Sequence, residues 1–257
     1  MNGPVISRRS LIAGGVAAAA LLGLGGAGRY AWATERQLLR PPGGQDEDRL
    51  LSACIRCDRC RQACPMRAIE STGVEDGLLN VRTPRLNFRN HALERTLGTT
   101  EYHEADIGYC NFCDPDHVGG QTKKCIANCP TGALQAFDES RERIGEAVID
   151  PVYCINFPQL GQTPTGCRLC VDACPYEAVV MNDEQRPEVL SEKCNGCGKC
   201  EAVCPSASYR QLVGVAALQE RAEAGEASYA SSLAYYRQTG TIPRGINIVR
   251  RAADAEA

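Results

Sequence analysis

Apolar positions along this chain fall into one long run near the start, several short ones in the middle and a mixed stretch near the end. The long run, residues 11–28, is uncharged, rich in Ala, Gly and Leu, and follows Ser7-Arg8-Arg9-Ser10. With the small-x-small triplet Ala31-Trp32-Ala33 behind it, this is the pattern of a signal peptide, predicted over residues 1–33. The paired arginines give it the form of a twin-arginine signal. The apolar run is about 17 residues and diluted by glycine, short for a membrane span of roughly 20; retention as an anchor is the alternative. Gly23-Leu24-Gly25-Gly26-Ala27-Gly28 matches G-x-G-x-x-G, but a nucleotide loop needs a strand before it and a helix after it, and this one lies inside the signal.

Residues 34–48, with Pro41-Pro42-Gly43-Gly44, read as a linker. Short apolar runs predict strands at 78–81, 148–150 and 179–181, with helical turns after each Cys-Pro pair. Residues 212–233 mix apolar positions with Gln219-Glu220-Arg221-Ala222-Glu223 and predict a helix broken near Gly225. Tyr235-Tyr236-Arg237 and residues 242–249 are expected to pack over the preceding domain, and 252–257 to fray.

Composition adds little until the cysteines are placed. The 257 residues are 44% hydrophobic, 23% charged and only 5% aromatic. A formal charge of −3 leaves no basic excess for nucleic acid. From residue 34 onward there are 25 basic and 31 acidic residues, net −6.

Sixteen cysteines, all between Cys54 and Cys204, divide into four runs. The first is Cys54-x2-Cys57-x2-Cys60-x3-Cys64-Pro65, and the fourth repeats it as Cys194-x2-Cys197-x2-Cys200-x3-Cys204-Pro205. The second is stretched: Cys110-x2-Cys113, then Cys125-x3-Cys129-Pro130. In the third the first cysteine stands twelve residues upstream: Cys154, then Cys167-x2-Cys170-x3-Cys174-Pro175. A [4Fe–4S] cube needs one thiolate per iron. A C-x2-C-x2-C loop wraps three of them with its N–H groups facing sulfur, and the fourth cysteine serves the other cluster of a two-cluster unit. That fourth cysteine is predicted to begin a short helix, with the proline after it disfavouring helical backbone at the cysteine itself.

Sixteen ligands predict four [4Fe–4S] clusters. Disulfides are the obvious alternative for an exported chain, but need neither this spacing nor a repeated Cys-Pro ending. Structural zinc uses separated C-x2-C pairs, and no C-x-x-C-H offers haem attachment. Among His91, His103 and His117, His117 lies inside a run whose four cysteines are complete and reads as a surface residue. No constellation suggests substrate catalysis, so the chain reads as an electron-transfer component and not an enzyme.

The chain resembles the NapG/MauM group of ferredoxin-type proteins of periplasmic nitrate reductase and methylamine-utilisation systems. The resemblance rests on Arg40-Pro41-Pro42-Gly43, Ser52-Ala53-Cys54-Ile55-Arg56-Cys57, Cys125-x3-Cys129-Pro130-Thr131-Gly132-Ala133-Leu134, Cys154-Ile155-Asn156-Phe157 and Cys194-Asn195-Gly196-Cys197-Gly198-Lys199-Cys200. It implies an α+β fold of duplicated bacterial ferredoxin-like dicluster units over 49–206, after a signal helix and before a partly helical C-terminal extension, 207–257. It also implies a periplasmic protein that carries electrons from a membrane quinol-oxidising, NapH-like partner to a periplasmic redox enzyme or cytochrome, with membrane association where the signal is retained. An iron–sulfur subunit of a molybdopterin oxidoreductase and a redox maturation factor are the other readings.

Two points stay open at this level. Runs three and four are nineteen residues apart and suit one ordinary two-cluster unit, leaving one and two as the other; the likeness to molybdopterin-enzyme subunits favours nesting, one with four and two with three. Arg56, Arg59, Arg61 and Arg67 surround the first run with only Asp58 among them, either as a collar that tunes a cluster or meets an acidic partner, or as an ordinary solvated face. Lys123 and Lys124 pose the same choice.

Overall fold

The computed structural model describes residues 36–89, 108–113, 123–136, 138, 142–157, 165–206 and 214–250. The chain divides into two units, 1–35 and 36–257; the signal stretch lies outside the described residues, as does His117. Among the described residues no helix is long and apolar enough to cross a membrane.

The fold is mixed α and β, built on two similar hairpins. Strand β1 (Ile69–Ser71) pairs antiparallel with β2 (Pro84–Leu86), and Ile69 faces Leu86. Strand β4 (Val179–Met181) pairs likewise with β5 (Pro187–Val189), Val179 facing Val189. Between them in sequence, β3 (Glu146–Ile149) pairs antiparallel with the last strand, β6 (Ile246–Val249). Helix α1 (Glu47–Ala53) precedes the first cysteine and is capped by Asp46, whose carboxylate accepts the N–H of Arg49.

Four one-turn helices carry the cysteine runs: α2 (Arg59–Ala63), α3 (Lys124–Ala127), α4 (Leu169–Asp172) and α5 (Lys199–Val203). Helices this short do not persist alone, where roughly 12 residues is the margin. Packing holds them: one buried cluster joins Leu50, Ile69, Leu86, Phe112, Leu134, Ile144, Val179 and Ile248 with the cysteine side chains. Helices α6 (Val215–Glu223) and α7 (Ala227–Thr239) form a second, smaller core, Leu218, Tyr229 and Leu233 against Val152 and Tyr153. The break between them contains Gly225 at φ 88°, where the helix was expected to stop.

Several expectations need correction. Residues 78–81 form a turn, not a strand: Asn80 donates to the carbonyl of Asp76, and its own carbonyl accepts from the Thr83 hydroxyl. That folds Leu78 and Leu79 outward and moves pairing to β2, where Pro84 and Leu86 are buried. The helices precede each Cys-Pro instead of following it, and the fourth cysteine ends a helix instead of starting one. Proline explains this: Cys64 (φ −73°, ψ 112°) and Cys204 (φ −65°, ψ 119°) are held extended. The stretch read as a linker is built into the body from Leu38 on. Buried Arg40 donates to Glu47 at 3.0 Å, to the Thr83 hydroxyl at 2.9 Å and to the Pro84 carbonyl at 2.8 Å. Nor is the C-terminal part a separate extension, since β6 completes the β3 ladder inside the cluster-bearing domain. The strand expected at 179–181 is found there, and that at 148–150 lies two residues earlier and ends at Ile149.

Candidate metal centre

Each run repeats the same backbone path. The residue before its second cysteine has left-handed φ in all four: Arg56 (58°), Phe112 (54°), Gly166 (71°) and Gly196 (79°). This bend turns N–H groups back onto sulfur, so that Phe112 N–H bonds to Cys110, Gly196 N–H to Cys194 and Lys199 N–H to Cys197. Three residues past the fourth cysteine a second left-handed position follows, at Arg67 (50°), Gly132 (68°) and Glu177 (49°). Beyond it, Leu134 N–H donates to Cys129 Sγ at 3.4 Å and Ala178 N–H to Cys174 Sγ at 3.3 Å. The fourth cysteine, released from its helix, points away from its own loop.

It points into the neighbouring run. One cavity has Cys54, Cys57, Cys60 and Cys129 on its wall, and a second has Cys64, Cys110, Cys113 and Cys125. A third is lined by Cys154, Cys167, Cys170 and Cys204. The remaining four belong together, because Cys174 lies close enough to act electrostatically on Cys194 and Cys197, and of the sulfurs that act on Cys200 the strongest are Cys197 and Cys194. Runs one and two therefore exchange their fourth cysteines, and so do three and four. This corrects the nested arrangement: the exchange follows the packing of α2 on α3 and of α4 on α5. The two pairs meet where Cys110 N–H donates to the Cys197 carbonyl at 2.8 Å. Named by the run that supplies three of their thiols, the sites stand in the row one, two, four, three.

Cys154, the ligand displaced upstream, is held at its site by two devices. Asn156, fully buried, accepts the Cys167 N–H at 3.0 Å and donates to the Cys167 and Gln185 carbonyls at 3.0 and 2.9 Å, clasping the two parts of run three. Gly245, just before β6, lies so near that a Cβ there would stand 2.8 Å from Cys154 Cα. Neither was assigned a role from the sequence. Asn156 was visible only inside the resembling Cys-Ile-Asn-Phe string, and Gly245 carried no local signal.

The donor sets fit iron–sulfur clusters. Burial, followed by the field of neighbouring sulfurs, pushes the Cys170 thiol up to about 12. Burial likewise holds Cys60, Cys125 and Cys197 at about 12 and Cys110 and Cys200 well above the ordinary thiol value. Four such sulfurs around one cavity become thiolates only with strong cationic charge at the centre. At Cys129 burial also raises the thiol, but N–H groups of Leu134, Thr131 and Ala133 outweigh it and the net direction is down. Among the described residues no three Cys, His, Asp or Glu side chains converge on a point suited to a single ion; the thiols ring a cavity instead, as a multi-iron cube requires. None of the sixteen cysteines is joined in a disulfide.

Comparison with known proteins points the same way. A family described as a 4Fe-4S dicluster domain matches residues 165–208, and one described as a 4Fe-4S binding domain matches 51–67. The ferredoxin-type protein NapG of Escherichia coli is 33% identical over 181 residues, 65% of each chain. The methylamine utilization ferredoxin-type proteins MauM of Methylobacillus flagellatus and Methylorubrum extorquens are 31% and 29% identical, over 65% and 77% of this chain and 64% and 84% of their own. The chain is similar to the NapG and MauM ferredoxin-type proteins. It spans just under two thirds of the Escherichia coli NapG length. No solved structure matches. Both matched segments are 4Fe-4S domains, one in the first cysteine run and one across the third and fourth.

Proposed function

We propose that each of the four thiol sets holds one [4Fe–4S] cluster and that the chain is an electron relay. The observation that carries this is the row of four sites, each with four thiols, joined at Cys110 and Cys197. A cluster of this kind takes up and releases one electron at a potential set by its hydrogen bonds, charge and exposure. The protein's own groups supply the rest. Sixteen thiolates ligate iron, the inward N–H groups stabilise negative charge on sulfur, and Phe112, Ile69, Leu134 and Ile246 keep water from the inner walls. With every thiol used, no iron is left open to a substrate.

On the family resemblance drawn from the sequence motifs, the chain's place is between a membrane quinol-oxidising, NapH-like partner and a periplasmic redox enzyme such as nitrate reductase. On the Arg8-Arg9 signal, that place is reached by twin-arginine export of the already folded protein. The molybdopterin-oxidoreductase reading rested on the four-run arrangement and implied nested runs, and the exchange within consecutive runs speaks against it. Anaerobic reductive titration of the purified protein tests the relay directly. Uptake of four electrons per chain is expected; two or fewer would contradict it.

A further inference from the structure

The site of run one carries a face that the relay alone does not explain. Cys57 is the one exposed thiol of the sixteen. Ile55, two residues before it, and Leu78 and Leu79 in the turn before β2 are exposed to 63, 70 and 71%. Arg56 ties these parts together: its guanidinium donates to the Leu79 carbonyl at 3.1 Å, so the turn that carries both leucines is fastened to the cysteine loop. Arg82 lines the same cavity mouth. Arg59 and Arg82 make no ion pair among the described residues, while the nearby acid, Asp58, is taken up by Arg61 and the Ser71 hydroxyl. Of the acids at this end, Asp58 and Glu70 share the cavity wall, and Asp46, Asp48 and Glu75 are exposed. Between Arg49 and Arg89 there are eight basic and four acidic residues, whereas 165–206 holds four basic and seven acidic. With Asp46, Glu47 and Asp48 at the start of α1 included, the first end is nearly balanced and the other acidic by three; the basic excess of run one is local, in its exposed arginines Arg56, Arg59, Arg61, Arg67 and Arg82.

Backbone geometry marks the same residue, though not it alone. At the left-handed position before the second cysteine, runs three and four use glycine, run two uses buried Phe112 at φ 54° and run one uses exposed Arg56 at φ 58°. A non-glycine residue there is strained by its Cβ, and such strain gathers at functional sites. A solvated loop would gain nothing from an arginine at this position, nor from two adjacent leucines turned into water.

We infer that this face, Ile55, Arg56, Leu78, Leu79 and Arg82 around Cys57, docks a redox protein whose contact surface is acidic around an apolar centre. The inference rests on the relay reading and adds where a partner joins the row. Electron exchange weakens steeply with distance, so the least covered site is where a docked protein exchanges fastest. Opposite charge speeds encounter and fixes orientation, and the leucines supply the desolvated centre that interfaces need.

The test uses the full chain, iron-loaded and reduced, mixed in a stopped-flow instrument with an acidic c-type cytochrome and, separately, a basic one. The acidic cytochrome is expected to be reduced at least about tenfold faster at low salt than at 0.5 M salt, as screening predicts. Arg56→Glu with Arg82→Glu is expected to abolish that salt dependence and lower the low-salt rate about tenfold. Leu78→Asp with Leu79→Asp is expected to lower the rate at every salt concentration, and because both side chains are exposed it should leave iron content intact. Full iron with a rate indifferent to both variants, or faster reduction of the basic cytochrome, would overturn the docking face alone. A chain without iron would bring down the relay reading, and this face with it.

Discussion

Replacing Cys129 by alanine is expected to open the site of run one, although Cys129 belongs by sequence to run two. Cys129 shares its cavity with Cys54, Cys57 and Cys60, which would be left one thiolate short of a complete cube. Alkylation of the anaerobic variant, mapped by mass spectrometry, should label Cys54, Cys57 and Cys60 while Cys64, Cys110, Cys113 and Cys125 stay protected, and iron should fall by up to about four atoms per chain, a full cube's worth. A nested chain would instead expose Cys154, Cys167 and Cys170, whose fourth partner here is Cys204. Labelling of that second group would refute the exchange between consecutive runs.

The second large effect lies away from sulfur. Glu201, buried on α5, accepts Arg89 Nε at 2.6 Å and the Ile248 N–H of β6 at 2.7 Å. Arg89 in turn donates to the Ile242 carbonyl at 2.6 Å and to Asn247 Oδ1 at 2.7 Å. This knot joins the segment after β2, the helix of run four and the C-terminal strand. Removing one partner of a buried, hydrogen-bonded pair leaves the other charge uncompensated and costs about 3–5 kcal/mol. For a domain of this size each kcal/mol moves the midpoint by roughly 2–4 °C. Glu201→Ala should therefore lower the temperature at which the visible chromophore is lost by about 6–20 °C, with iron content in the cold unchanged. A shift below about 2 °C would show that the knot adds little to stability.

How far the sequence could be read follows from what each feature depends on. Cysteine spacing is local, so the four runs and the extended backbone that proline imposes at Cys64 and Cys204 were legible from a single loop. Which runs share thiols depends on the packing of α2 on α3 and α4 on α5, and both pairings satisfy the same spacing. Residues 78–81 have the apolar pattern of a strand, yet Asn80 and Thr83 bond the chain into a turn. That makes Leu78 and Leu79 surface residues, which periodicity alone cannot reveal. The last strand looked like an appendage because its partner, β3, lies about a hundred residues earlier, a separation no local window spans. Arg40 and Asn156 were noticed only as members of resembling strings. Their work, many hydrogen bonds made by one buried side chain, shows only once distant segments meet.

The most direct measurement is iron and acid-labile sulfide per chain on protein purified without oxygen. Sixteen of each, in brown material, is the expected result. Folded, colourless protein with no sulfide and its thiols joined in pairs would contradict the cluster assignment at its root.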